Sequence, residues 1–245
     1  MVNFTVIIAT YNAQDHIEST LKSVIDQGCQ NLELVIVDGF STDQTLEIIN
    51  KYSSFIHKVV SEKDKGIYDA WNKGVRMSSN EWILFLGSGD TLTPGSLNRY
   101  ADYLANEKKK FHFVSSRINL VNSDGEITRL VGKAWSWKCF RKYMCTSHVA
   151  ALHNRSLFND YGYYDSSLRI VGDYELLLRA QDNLNAGFVD FVQANMLIGG
   201  VSNNLSSLRE TLAVKIKCSD RGIFECFFDY YYSLFVWILR NVSIF

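Results

Sequence analysis

The sequence predicts an α/β domain on a mostly parallel sheet, and three observations carry that prediction. Short β-branched runs alternate with helical apolar patterns through the first half of the chain, as successive βαβ units do. A length of 245 residues gives one large core rather than two. Hydrophobic content of 47%, with one proline and no low-complexity tract, is that of a folded chain.

Strands are expected at Phe4–Thr10, Leu32–Asp38, Ile56–Val60, Trp82–Leu86 and Phe111–Ser115. Between them Ile17, Leu21, Val24 and Ile25 share one helical face, and so do Ile67, Ala70, Trp71, Gly74 and Val75. Ser41 followed by Gln44 reads as a capping box, and Thr93 before Pro94 as an N-cap with proline in the first helical turn. Asp124-Gly125 is a hairpin turn between Ile118–Val121 and Ile127–Val131. The second half is less regular: a strand around His148–His153, a helix from near Gly172, a strand at Phe188–Ile198 and a helix from Leu205 onward. These expectations divide the chain into an α/β domain, residues 1–204, and a C-terminal tail, residues 205–245.

The tail from Gly222 to Leu239 approaches the ~20 residues that cross a bilayer, but Glu225 and Asp229 oppose spanning. Arg221, Glu225, Asp229 and Ser233 form a polar stripe opposite Phe224, Phe227, Phe228, Tyr231, Phe235 and Ile238. With Lys215, Lys217 and Arg240 flanking it, the helix suits a peripheral membrane position. Packing on the domain, or on a second subunit in a homodimer, is the other reading.

Net charge of -1 gives no general attraction to nucleic acid. Five cysteines without a CxxC pair suggest neither a disulfide framework nor a zinc site, and the first residues carry no export signal. A cytoplasmic location follows as the expectation.

Ligands of open α/β sheets bind beyond the carboxyl ends of the strands. Three polar clusters fall there: Thr10, Tyr11 and Asn12 after the first strand, Asp38 ending the second, and Gly87-Ser88-Gly89-Asp90 after the fourth. A lone strand-end aspartate is often a helix cap, whereas three converging clusters indicate a nucleotide pocket. Neither G-x-G-x-x-G after the first strand nor GxxxxGK[ST] occurs, which takes most of the support from the dinucleotide and P-loop modes.

Val6-Ile7-Ile8-Ala9-Thr10-Tyr11-Asn12, Val35 through Asp43 and Asp64-Lys65-Gly66-Ile67-Tyr68-Asp69-Ala70-Trp71-Asn72-Lys73-Gly74 resemble family 2 glycosyltransferases. Phe85-Leu86-Gly87-Ser88-Gly89-Asp90 resembles the family's metal-binding segment, and Gly172-Asp173-Tyr174-Glu175 the segment with its catalytic base. The likeness runs over residues 4 to 202. It implies a GT-A fold and an inverting transfer from a UDP-sugar, with Thr10, Tyr11, Asn12 and Asp38 at the nucleoside. It also implies that Lys65 and Gly66 serve the nucleotide or diphosphate, where a helix-start loop is the plain alternative, and that Ser88, Gly89 and Asp90 face the donor.

The metal segment departs from the family's Asp-x-Asp-Asp, since Gly87 and Gly89 replace acids and Asp90 alone remains. Mn2+ or Mg2+ can make do with one carboxylate when diphosphate oxygens and waters complete an octahedron; loss of metal dependence is the alternative. Asp173 is read either as a helix N-cap or as the base that takes the acceptor's proton, with Glu175 projecting elsewhere. His148 and His153, five apart in one strand, would lie on opposite faces, so no joint metal site is expected. His148 is read as either an acceptor-side contact or a core histidine, and Gly199-Gly200-Val201-Ser202 as a turn over the donor or a plain connection.

The leading expectation is transfer to a lipid-linked oligosaccharide of a bacterial surface polysaccharide, at the inner face of the cytoplasmic membrane. A catalytically silent nucleotide-sugar-binding subunit is the second reading. A nucleotidyltransferase ranks third, because its glycine-rich, lysine-containing N-terminal loop is missing.

Overall fold

The computed structural model describes residues 2–199 and 205–242. In chain order they form β1 (Phe4–Thr10), α1 (Ile17–Ile25), β2 (Leu32–Asp38), α2 (Thr45–Lys51), β3 (Lys58–Ser61), α3 (Ile67–Met77), β4 (Trp82–Gly87), β5 (Thr91–Leu92), α4 (Ser96–Asn106) and β6 (Phe113–Val121). There follow β7 (Ile127–Val131), α5 (Trp137–Phe140), β8 (Leu152–Asn154), α6 (Arg155–Tyr161), α7 (Gly172–Ala180), β9 (Ala186–Leu197), α8 (Leu205–Cys218) and α9 (Ile223–Val242). The turn at Gly199–Ser202 lies largely outside the described residues, as does the junction expected at residue 204.

The strands make one sheet in the order β3-β2-β1-β4-β8-β6-β9-β5, with β7 paired to β6. Its first half, β3-β2-β1-β4, is parallel. The second half is mixed, since β8 runs antiparallel to both β4 and β6 while β9 is parallel to β6. Alternate side chains feed two cores. Ile7, Val35, Val37, Ile83 and Phe85 pack with α3 and α7 on one face; Val6, Ile8, Ile36, Leu84 and Leu86 pack with α1 and α4 on the other.

Register sets the site. Thr10 lies opposite Asp38 and Ala9 opposite Gly87, so the expected clusters meet at one edge of the sheet. Gly74 brings α3 close to that edge: a Cβ there would sit 2.5 Å from Ile7 Cγ2, so any side chain would push the helix off β1.

Several local expectations are corrected. Ser41 caps no helix: α2 starts at Thr45, and the Ser41 hydroxyl donates to Asp38 instead. Thr93 lies outside α4, whose N-cap is Gly95 in a left-handed conformation. Phe113 to Val121 is one long strand; it joins the expected Phe111–Ser115, which starts two residues too early, to Ile118–Val121. The strand at His148–His153 shrinks to β8. Ala150, at φ 57°, turns the chain just before it, so His148 and His153 do not alternate across a strand and their rings lie 4.6 Å apart.

In the tail, part of the polar stripe faces inward: Arg221 Nε pairs with Asp229 at 3.1 Å, and Asp229 also holds Lys215, which is only 2% exposed, while Glu225 and Ser233 stay at the surface. The aromatic face points out, with Phe224 87%, Phe228 71% and Tyr232 63% exposed. No helix among the described residues is long and apolar enough to cross a membrane.

Candidate active site

A pocket of about 250 Å3 opens where β1 ends, lined by Ala9, Thr10, Tyr11, Asp64, Gly66, Ile67 and Ala70. Tyr11 is 65% exposed, a ring face free to stack on a base. Thr10 is buried and its hydroxyl has no hydrogen-bond partner among the described residues, a polar atom waiting for a ligand. Asp64 accepts the Gly66 N–H at 2.9 Å through Oδ1, while its Oδ2 lies against the backbone of Gly39, beside Tyr11. Asp64, which the sequence reading names only within the Asp64–Gly74 motif, is part of this pocket's lining. Its signal was its place two residues before the helix N-terminus.

Gly66, at φ 125°, is the N-cap of α3 and presents that helix's first N–H groups at the pocket. Lys65 is exposed next to it, and its backbone N–H is taken by Asp69. Asn12 and Asp38 have other employment. Asn12 Oδ1 accepts the Thr42 N–H at 2.9 Å, tying together the loops after β1 and β2. Asp38 is fully buried, and its oxygens accept from the Ser41 N–H, the Ser41 hydroxyl and the Ser61 hydroxyl. The carboxylate thus organises the rim, with its charge satisfied internally.

On the β4 side, Asp90 Oδ2 accepts the Gly87 N–H at 3.1 Å and Oδ1 the Leu197 N–H at 3.3 Å. Burial pushes its carboxyl up to about 6, with those N–H groups opposing. The Ser88 hydroxyl beside it is buried with no partner among the described residues. Gly89 gives its N–H to Thr20 at 2.9 Å, so that donor is already used. No cluster of three or more metal-ligating acids, histidines or cysteines exists among the described residues. One carboxylate with spare lone pairs and one orphaned hydroxyl still fit an ion whose remaining ligands are diphosphate and water.

Asp173 stands in the first turn of α7, whose N-cap is Val171. The turn before α7 is held from outside: Glu210 of α8 accepts the N–H groups of Arg169, Ile170 and Val171 at 3.0, 2.8 and 3.2 Å. Burial pushes the Asp173 carboxyl up to about 6, opposed by the Tyr174 N–H and the Tyr68 hydroxyl. That hydroxyl lies 2.6 Å from Ile170 O and 3.1 Å from Asp173 Oδ1. Gly172 lets the ring in, because a Cβ there would meet it at 2.8 Å. Tyr68 therefore links the helix that borders the first pocket to the carboxylate of α7. Asp173 lines a second cavity, of about 290 Å3, between α7, α8 and α9.

Glu175 points away and pairs with Arg179 at 3.2 Å. His148 lies in the core at 4% exposure, stacked on Trp71 and bonded through Nε2 to the Tyr164 hydroxyl at 2.9 Å. Burial drops its pKa to about 3, which favours the neutral ring in this arrangement.

The sequence model described as "Glycosyl transferase family 2" matches residues 5–154. A PGL/p-HBAD biosynthesis glycosyltransferase of Mycobacterium bovis is 31% identical over 218 residues, covering 82% of this chain and 80% of the relative. The Escherichia coli protein WfaP, named a UDP-Glc:alpha-D-GlcNAc-diphosphoundecaprenol beta-1,3-glucosyltransferase, is 33% identical over 44% of each chain. Among solved structures, S. aureus TarS 1-349 in complex with UDP superposes with a TM-score of 0.70 at 20% identity, over 92% of this chain and 68% of that one. The mannosyltransferase PcManGT of Pyrobaculum calidifontis, in complex with GDP-Man and Mn2+, gives 0.66 at 18%, over 91% and 68%. These likenesses show that the architecture is the GT-A fold. A family match over more than half the chain, with kinship to a named transferase over about four fifths of each chain, leads to one conclusion: the chain belongs to glycosyl transferase family 2 and is a glycosyltransferase.

Proposed function

We propose that this enzyme moves a sugar from a UDP-sugar to a hydroxyl of a lipid-linked oligosaccharide in bacterial surface polysaccharide synthesis, inverting the anomeric centre. The observation that carries the reading is the Tyr68 bridge, which joins the helix bordering the pocket at the end of β1 to a half-buried carboxylate, Asp173, at the wall of a second cavity.

In this reading Tyr11 stacks on uracil, and Thr10 and Asp64 meet its polar edge. Asn12 and Asp38 hold the rim from behind. Lys65 and the N-terminus of α3 at Gly66 face the diphosphate. Asp173 takes the acceptor hydroxyl's proton as that oxygen attacks the anomeric carbon; the C–O bond to the diphosphate breaks with its electron pair, and UDP leaves. One displacement inverts configuration. Asp90 and Ser88, with Gly89 at the turn, would hold Mn2+ or Mg2+, which when bound offsets charge on the leaving diphosphate. Asp90→Ala should then abolish any metal-dependent gain in UDP affinity, expected at about 5- to 150-fold, in a titration with and without manganese.

The names of the relatives support the acceptor class: WfaP's names a diphosphoundecaprenol-linked sugar, and a Bacillus subtilis relative is described as a putative teichuronic acid biosynthesis glycosyltransferase. The outward aromatic face of α9 supports a peripheral position at the cytoplasmic membrane face. It also suits a homodimer contact. The basic flank adds little, because Lys215 and Arg221 are tied to Asp229, and Lys217 lies 3.6 Å from Asp165. The silent-subunit reading is not favoured, since the relatives are named as transferases.

A hydrolysis screen of UDP-glucose, UDP-galactose and their N-acetyl forms, with and without manganese, tests the donor class. Addition of a lipid-diphosphate-sugar then tests the acceptor. UDP release from none of the four donors would overturn the reading.

A further inference from the structure

The cavity beside Asp173 is a built feature. Glu210 fastens α8 to the turn before α7 through three backbone N–H groups. Lys215, buried at 2%, fastens α8 to Asp229 of α9 and to the Lys142 carbonyl at 2.8 Å. Between these ties the cavity holds about 290 Å3. That is at the lower limit of the ~300–1,000 Å3 of small-molecule sites, room for one sugar ring and not for an oligosaccharide.

Its lining suits such a ring. Leu208, Leu212 and Tyr230 offer apolar surface for the C–H face, while Thr211, Ser233 and the Lys215 ammonium offer polar groups for hydroxyls. Two acceptors among the described residues engage that ammonium, which has three protons to give. At the opposite wall, α9 contributes Tyr230 and Ser233 to the cavity while the adjacent Tyr231, Tyr232 and Phe235 are exposed. A ligand leaving on that side meets an aromatic surface at once.

We infer that this cavity encloses the terminal sugar ring of an amphiphilic acceptor, with one hydroxyl at Asp173 and the apolar portion running out along α9. The inference rests on Asp173 being the base of the proposed transfer. It adds that α8 and α9 form the acceptor site, and that a hexose bearing an alkyl chain is the smallest ligand satisfying both the cavity and its rim.

The test uses octyl β-D-glucoside, octyl β-D-galactoside and octyl N-acetyl-β-D-glucosaminide below their micelle concentrations, with the free hexoses beside them. Binding to the full chain is followed by ligand-observed NMR and calorimetry. Leu212→Trp fills the cavity from α8 and Ser233→Trp from α9; the second position is exposed, so it keeps the test alive if the first variant fails to fold. At least one octyl hexoside should bind about tenfold tighter than its free hexose. Both variants should weaken that binding by at least about tenfold, with UDP affinity and melting temperature close to wild type. Equal binding by the filled variants, or no binding of any octyl hexoside, overturns the inference. So does a dimer in sedimentation that excludes the glycosides. Failure of the wild type to bind UDP counts instead against the donor reading, so the two failures are distinguishable.

Discussion

The rim at the ends of β1, β2 and β4 and the cavity at the start of α7 are built in opposite ways. On the rim, the proposed nucleotide contacts sit in short consecutive stretches at strand ends, and parallel register places Thr10 beside Asp38 and Ala9 beside Gly87. Around the cavity, the parts come from α7, from residues 142–144 and from two C-terminal helices, and side chains far apart in sequence hold them. Strand register assembles a local motif almost automatically. A cavity between helices needs specific ties, and each tie is a place where the comparison can be broken.

The largest effect is expected at the carboxylate that Tyr68 joins to the helix bordering the rim. Asp173→Asn keeps the shape and the acceptor for the Tyr174 N–H but cannot take a proton. A positioned base commonly contributes about 10²- to 10⁴-fold, so kcat should fall by at least 10²-fold while UDP-sugar affinity holds. Near-normal turnover with the true acceptor would reduce Asp173 to a first-turn helix acid.

The next largest concerns the tail. Removing residues 221–245 would delete Asp229 and with it the tie that Lys215 makes between α8 and α9, an outcome that confuses loss of membrane contact with loss of fold. Phe224→Glu with Phe228→Glu is the cleaner probe, because both side chains are mostly exposed. Flotation with anionic vesicles should drop from bound to largely free, with catalysis on a soluble acceptor retained. A wild-type chain that never floats but runs as a dimer, split by the double variant, would assign the aromatic face to self-association.

What was legible in the sequence divides along the same line. β1, β2, α1, α3 and the start of α7 were placed correctly because period and burial agree there. The Ser41 capping box failed because Asp38 competes for its hydroxyl, and Thr93 failed because the chain turns left-handed at Gly95 before the helix can start. His148 lost its strand to the turn at Ala150. The tail's stripe was read correctly as a stripe, but periodicity does not say which face turns inward; the buried Lys215 decides that, and its burial is a tertiary fact. Asp64 and Glu210 were passed over for the same reason, since the value of each lies in what folds against it.

Tyr68 offers a smaller effect of more specific kind. Its hydroxyl stabilises the charged form of Asp173, whose carboxyl stands near 6. A base works only when deprotonated, so kcat should be lost as pH falls through about 6 and level off above it. Tyr68→Phe removes a donor to the carboxylate, raises that pKa and moves the acid limb upward. A bond to a charged group contributes about 1.5–3 kcal/mol; shared here with Ile170 O, it should give a shift of about one pH unit. Donor KM should not change. An unmoved limb would mean that the hydroxyl serves Ile170 O alone, and the two regions would be mechanically separate.

Glu210 carries the smallest expected effect and the most discriminating one. Glu210→Gln leaves one oxygen to accept from the Arg169, Ile170 and Val171 N–H groups and removes the negative charge from the N-terminal end of α7. The partly exposed site limits the loss to about 1–2 kcal/mol, or roughly 2–8 °C in melting temperature for a chain of this size. If Glu210 only steadies the turn, kcat and the acid limb will stay at wild-type values and stability alone will fall. The turn it holds also carries Ile170 O, the shared acceptor of Tyr68, so loosening it should let that hydroxyl drift from Asp173. The expected result is therefore a modest drop in stability with the acid limb moved in the same direction as in Tyr68→Phe, and by less. A stability loss without any movement of the limb would make α8 a brace for the fold and leave the alignment of the base to Tyr68 and Gly172.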